Sequence, residues 1–269
     1  KEFVKPSERI AVFDNDGTLW PENPLPFQLA YALDRVKAMA DKKPEWKEKQ
    51  PFKAVLEGDM AALVKSGKKG LIELVLATHA GMTTDEFDDS VRAWIKAAKH
   101  PRWKRPYTDL TYLPMQEVLE HLRANGFKTY IVSGGGAEFM RVWSEEVYGI
   151  PPEQVVGTLF KTKFEARGGK TALVRLPEVA FIDNKEGKPA GIHQMIGRRP
   201  VACFGNSDGD VAMLQWTTTR PGPSFGLIVR HTDGAREYAY DKHPKSSGKL
   251  DVGFAEAKNN GWTMVDMKN

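Results

Sequence analysis

The chain has 269 residues, enough for one large domain or for a core carrying an insertion. Its 39 basic and 35 acidic residues leave a formal charge of +4, and the bases are scattered without a run of five or six, which argues against a nucleic-acid footprint. The one cysteine, Cys203, excludes an intramolecular disulfide and a cysteine-based metal centre, and no apolar stretch approaches the length of a membrane-spanning helix. The chain begins at Lys1 without a methionine, so a soluble protein is expected either in the cytoplasm or exported after removal of an N-terminal leader.

In chain order, "RIAVFD" (9–14) is β-branched and aromatic and predicts a buried strand. Pro21, Pro24 and Pro26 then break the chain. From Phe27 to His100 the apolar residues recur at helical spacing, in "FQLAYALDRVKAMA", "FKAVLEGDMAALVKS" and "LIELVLATHA". Thr83 and Glu86 form a capping box that opens "EFDDSVRAWIKAAK", and no strand is expected in this stretch. Pro101 and Pro106 make a second break. Beyond it the rhythm becomes strand and helix in alternation. "MQEVLEHLRANG" predicts a helix ended by Gly126, "FKTYIVS" a strand, "AEFMRVWSEEVYG" a helix, and 154–176 short strands with a hairpin turn at Gly168–Gly169. A helix is expected in 189–197, then the strand "PVACFGN", a helix from "DGDVAMLQW" and the strand "FGLIVRH". Such alternation implies βαβ units and a largely parallel sheet. The expected fold is an α/β core, residues 1–21 and 107–269, with a helical insertion at 22–106.

Ligands of open α/β sheets bind at the carboxyl ends of the strands. Here those ends read "FDNDGT", "IVSGGG" and "CFGNSDGD", with "DNKEGKP" before the last. Taken alone, each has a bland reading: "DNDGT" is turn-like, "SGGG" is a flexible strand-to-helix turn, and Lys188 is a surface lysine. Calcium loops are excluded, because Gly17 comes fourth in its run where a sixth-position glycine is needed, and Val211 and Thr217 stand at the glycine and glutamate positions of "NSDGD". His79 and Cys203 read as structural residues.

Together the four segments, in this order, resemble the motifs of the haloacid dehalogenase superfamily, and more closely its phosphoserine phosphatase-like branch with an α-helical cap inserted after the first motif. The resemblance implies a Rossmann-like three-layer core and a Mg²⁺-dependent phosphatase acting on a small phosphorylated metabolite; the scattered charge and the lack of a long apolar stretch give no reason to expect nucleic acid or membrane as partner. It implies that Asp14 is the nucleophile forming an aspartyl-phosphate and a metal ligand. Asp16 is then the general acid and base, and its carbonyl binds metal. Ser133 and the amide of Gly134 hold phosphate oxygens, Lys188 neutralises charge, and Asp210 orients Lys188 or a metal-bound water. The chemistry needs cations, since an anionic carboxylate must approach an anionic phosphate.

Two departures matter. Where the family has Gly-Asp, this chain has Gly205–Asn206, an oxygen ligand without charge, so weaker Mg²⁺ binding than with Asp is expected, with Asp208 as a substitute ligand. Between Arg35 and Arg92 there is no arginine to hold a substrate carboxylate, which puts phosphoserine in doubt. Glu22 either meets a cationic substrate group or is a solvated hinge residue, and Trp20 either lines the pocket or packs. Other functions remain open on the same residues: a phosphotransferase or mutase, a metal-independent 2-haloacid dehalogenase, against which Asp16 argues, and a non-catalytic phospho-ligand binder.

Overall fold

A computed structural model describes residues 4–242 and 247–268, with the side chains of Lys68 and Arg167 left aside. Seven strands form one sheet: β1 (Ile10–Phe13), β2 (Lys128–Gly136), β3 (Val155–Arg167), β4 (Lys170–Phe181), β5 (Ala202–Gly205), β6 (Phe225–Arg230) and β7 (Thr263–Asp266). Their order is β4-β3-β2-β1-β5-β6-β7, and the pairs β3-β2-β1-β5-β6-β7 are parallel. This is the α/β architecture that the alternating text predicts. The chain divides into two compact units, one of 1–24, 98–159 and 181–269, the other of 25–97 and 160–180.

The second unit contains α1 (Phe27–Met39), α2 (Phe52–Glu57), α3 (Met60–Lys65), α4 (Gly67–His79) and α5 (Thr84–Ala97). Its core gathers Leu33, Val36, Trp46, Phe52, Val55, Leu63 and Leu74. The run 52–66, written as one helical text, is two helices. Gly58 ends α2 in the left-handed region (φ 72°), and the Asp59 side chain accepts from Ala62 N–H to open α3. The Thr83–Glu86 capping box is present in both directions, at 2.8 and 3.1 Å. His79 is buried, its Nδ1 is 2.7 Å from Thr78 Oγ1, and burial pushes its pKa well down. The hairpin arms 160–180, expected in the core, group with these helices instead. Gly81 N–H donates to the Arg175 carbonyl and Arg175 N–H to the Met82 carbonyl, both at 2.9 Å, which zips β4 to the α4–α5 connection.

In the first unit α6 (Leu113–Ala124), α7 (Ala137–Arg141), α8 (Ser144–Tyr148), α9 (Gly187–Gly191), α10 (Val211–Thr218) and α11 (Val252–Asn260) accompany the strands. The helix expected over 137–149 is split at Val142–Trp143 into α7 and α8. The core includes Ile10, Val12, Val132, Val156, Cys203, Met213, Ile228 and Trp262. Among the described residues no helix is long and apolar enough to cross a membrane.

Candidate active site

Register brings the strand ends level. Phe13 pairs with Ile131 on one side and Phe204 on the other. Asp14, the next residue, donates its N–H to the Phe204 carbonyl at 2.9 Å. It therefore stands between the "VSGGG" end of β2 and the "GNSDGD" end of β5.

Lys188, on the short helix α9, reaches into this row. Its Nζ donates to Asp14 Oδ1 at 2.8 Å and to Asp210 Oδ1 at 2.6 Å, and it is 2% exposed. Burial alone disfavours the ammonium, but the two carboxylates outweigh it and raise the Lys188 pKa. Asp14 is pushed up to about 7, chiefly by burial and then by Asp210, with Lys188 pulling the other way. Asp210 is fully engaged. Its Oδ2 accepts from the N–H groups of Asn206 and Ser207 at 3.0 Å and from Ser207 Oγ at 3.2 Å. Gly205 makes room for it, since a Cβ there would lie 2.6 Å from the Asp210 side chain. One carboxylate thus fixes both the loop after β5 and the lysine.

Asp16 lies in the turn after β1. Its Oδ1 accepts from Trp20 Nε1 at 2.7 Å and Asn15 Nδ2 at 3.2 Å. Burial raises its pKa, and these two donors moderate the rise. Trp20 is 1% exposed and stacks on Trp143, with centroids 4.1 Å apart. It packs there while gripping Asp16. Asn15, just past the end of β1, also accepts from the Tyr148 hydroxyl through its Oδ1 at 3.2 Å.

At the end of β2 the pairing slips. Ser133 pairs with Gly157 and Gly136 with Thr158, so Gly134 and Gly135 bulge out of the ladder. Ser133 is buried and its Oγ accepts from Gly135 N–H at 3.2 Å, while Gly134 is exposed. Thr158 Oγ1 donates to the Gly134 carbonyl at 2.8 Å and accepts from Asp183 N–H at 3.3 Å.

Asn206 is buried at the end of β5. Its Oδ1 accepts from Thr18 Oγ1 at 3.2 Å and its Nδ2 donates to Glu22 Oε1 at 2.7 Å. Glu22, 3% exposed, also accepts from Tyr240 at 3.0 Å, and burial pushes its pKa up to about 8. It is no solvated hinge residue, and its partner is a neighbouring amide. Nearby, His231 Nε2 lies 2.7 Å from the Gly17 carbonyl and its Nδ1 lies 2.8 Å from Glu237, which also accepts from Tyr112. Asp208 is engaged elsewhere. Its Oδ1 accepts from the N–H groups of Asp251 and Gly253, at 2.9 and 2.8 Å, and caps α11, which argues against its use as a substitute ligand.

Sequence reasoning passed over Asp183. It is wholly buried, and neither carboxyl oxygen has a hydrogen-bond partner among the described residues. Burial pushes it up to about 8, with Asp14 and Asp210 adding to the rise and Lys188 opposing it. A signal was present: "FIDN" repeats the apolar-run-then-Asp-Asn text of "VFDN".

Among the described residues no three His, Cys, Asp or Glu side chains form a metal cluster by themselves. A cation held here would need Asn206 Oδ1 and a main-chain oxygen as well as Asp14. Those are hard oxygen donors, and Asp14 engages Lys188 through Oδ1 alone. The set fits Mg²⁺, which takes few protein ligands and keeps several waters.

The model of the haloacid dehalogenase-like hydrolases matches residues 11–215. No curated protein matches the sequence. Among solved structures, a protein of unknown function from Bordetella pertussis Tohama I has a TM-score of 0.59 at 17% identity, covering 96% of this chain and 98% of that one. A conserved, functionally unknown protein from Anaerococcus prevotii DSM 20548 gives 0.60 at 17% identity, with 98% and 87% covered. Both likenesses show the shared fold.

Proposed function

The chain belongs to the haloacid dehalogenase-like hydrolases, and on that premise we propose that it is a Mg²⁺-dependent phosphatase hydrolysing a small phosphomonoester through an aspartyl-phosphate on Asp14. The observation that carries the reading is the buried Lys188, hydrogen-bonded at once to Asp14 and Asp210. A lysine fixed on a carboxylate at a strand end suits a centre where negative charge must accumulate.

Asp14 attacks phosphorus as a carboxylate, so one step becomes a transfer and a hydrolysis. Lys188 holds it oriented and offsets the charge of the incoming phosphate. Asp210 fixes Lys188. Ser133 and the Gly134 amide, at the bulged end of β2, receive phosphate oxygens, as bare backbone at a strand end can. Asp16, raised by burial, gives its proton to the leaving oxygen and then takes one from water. Asp14, Asn206 and the Asp16 carbonyl hold the Mg²⁺, which when bound supplies the positive charge that lets two anions meet. A departing halide needs no proton, so an acid gripped by Trp20 supports phosphate-ester chemistry over dehalogenation. The helical insertion of the second unit is the cap that selects the substrate.

A phosphate-release screen over phosphorylated metabolites with Mg²⁺, run beside Asp14→Asn, tests this. Turnover is expected for at least one ester and a loss of at least about 10³-fold in the variant, as for removal of a nucleophile. Full activity in Asp14→Asn, or no turnover of any ester including p-nitrophenyl phosphate, overturns the reading.

A further inference from the structure

A primary amide has one end that can ligate a cation and one that cannot. The carbonyl oxygen accepts, while the NH₂ group only donates. Asn206 can serve a cation only if its Oδ1 is the end presented, and nothing in the amide itself decides that. In this chain the decision is made outside the amide, by Glu22.

Glu22 Oε1 takes Asn206 Nδ2 at 2.7 Å, and Thr18 Oγ1 reaches Asn206 Oδ1 at 3.2 Å. Turning the amide over would set its oxygen against the Glu22 oxygen, whereas the Thr18 hydroxyl can accept as well as donate, so the choice rests on Glu22. Tyr240 donates to the same Glu22 oxygen at 3.0 Å. That oxygen accepts from two donors, so a proton carried by Glu22 sits on the other one and leaves the choice unaltered. The pair is also enclosed. A Cβ on Gly17 would lie 2.1 Å from Asn206 Nδ2 and 2.4 Å from Glu22 Oε1, and one on Gly248 would lie 2.2 Å from Glu22 Oε1. Both glycines have φ near +80°, so the two walls are bare backbone in a conformation that side chains disfavour.

We propose that Glu22 is a positioning residue which, paired with Asn206 in an exchanged acid–amide arrangement, aims the Asn206 carbonyl at the divalent cation. The acid stands one step back from the ligand position, and the amide stands in it. This rests on the proposed Mg²⁺ site and goes beyond it in one respect. The amide at 206 is not a weakened ligand that an acid would improve. An acid placed there alone would face Glu22 across a hydrogen-bond distance with no room to withdraw, and two carboxyls in contact must share a proton. Only exchanging both residues keeps one acid and one amide.

The test uses the full chain in four forms: wild type, Glu22→Met, Asn206→Asp and the double exchange of Glu22→Gln with Asn206→Asp. Melting is measured with chelator, and Mg²⁺ affinity by isothermal titration calorimetry. Asn206→Asp is expected to lower the metal-free melting temperature and to bind Mg²⁺ no more tightly than wild type. Glu22→Met, which leaves Asn206 Nδ2 without its acceptor, is expected to weaken Mg²⁺ by about tenfold or more, the usual cost of losing a group that orients a ligand. The double exchange is expected to recover both. Mg²⁺ binding unchanged in Glu22→Met, or tightened by Asn206→Asp with no cost to melting, overturns the pairing and leaves the metal site standing. No Mg²⁺ binding in any form, wild type included, overturns the metal site itself and the pairing with it.

Discussion

Asp16 is pulled two ways. Burial favours its neutral acid, while the N–H groups of Trp20 and Asn15 favour its carboxylate. In the proposed reaction it must begin protonated, so the alkaline limb of kcat/KM tracks its ionisation. Trp20→Phe keeps an aromatic ring on Trp143 and removes the 2.7 Å hydrogen bond. The group lost had stabilised the charged form, so the Asp16 pKa rises and the limb moves to higher pH. A pH–rate profile of this variant checks it, and a limb that stays still or moves to lower pH takes Asp16 out of the acid role. At this scale the sequence was informative about Asp14, Asp16, Lys188 and Asp210, because their chemistry is written into short runs at strand ends. It was silent on the partner of Glu22, because a contact across 184 residues leaves no trace in spacing or periodicity.

The element that carries Lys188 is the one the text described least well. The sequence predicts a single helix over 189–197. The chain instead makes α9, over Gly187–Gly191, and then one π-helical turn over 192–196. Glycines explain the difference. A Cβ on Gly187 would lie 2.1 Å from the Ile182 carbonyl, and one on Gly191 would lie 2.3 Å from Asp183 Oδ1. Both are poor helix formers kept for close approach, a reason that propensity does not reveal. The C-terminal helix α11 and strand β7 also escaped reading, since β7 is four residues long and none of them is fully buried. By contrast β1, β5 and β6 were plain, being apolar runs buried along most of their length. The glycine argument gives a prediction. Gly191→Ala, on the helix bearing Lys188, drives a methyl into the buried Asp183 carboxylate, and is expected to cost about 1–3 kcal/mol of stability and to lower kcat more than it alters KM. Asp183→Ser in the same chain shortens the obstructing side chain and should recover part of the loss, a coupling readable by urea denaturation. Additive effects of the two changes would place the cost elsewhere.

Over the whole molecule the buried acids set the response to pH. The resemblance to a known fold anticipated a helical insertion, but not that the hairpin arms 160–180 belong to the same unit, because strands read from text carry no sign of which body they join. In the first unit, Asp14 stands at about 7 and Asp183 and Glu22 at about 8, against ordinary values of 3.8 for the aspartates and 4.5 for the glutamate. Between those limits the folded chain holds protons that the unfolded chain has released. The stability tied to them is fully present below pH 4 and is lost as pH rises through 7 and 8. His231, raised by Glu237 against the opposing effect of its burial, adds in the same direction. His79 and His100, both lowered by burial, act oppositely, since unfolding lets them take up protons. Their contribution fades above their ordinary value of 6.5, so the acids govern the window from pH 6.5 to 8. One proton released per molecule there corresponds to about 1.4 kcal/mol per pH unit, or roughly 3 °C in Tm for a chain of this size. Metal-free protein should therefore melt lower at pH 8 than at pH 6.5. Asp183→Asn should flatten that slope, because it removes one of the carboxyls whose pKa burial raises. Adding Mg²⁺ should flatten it further, since ligating carboxylates give up their protons on binding. Scans in chelator across this window decide the matter, and a Tm that is level or climbs from pH 6.5 to 8 would show that these acids are already ionised in the folded protein.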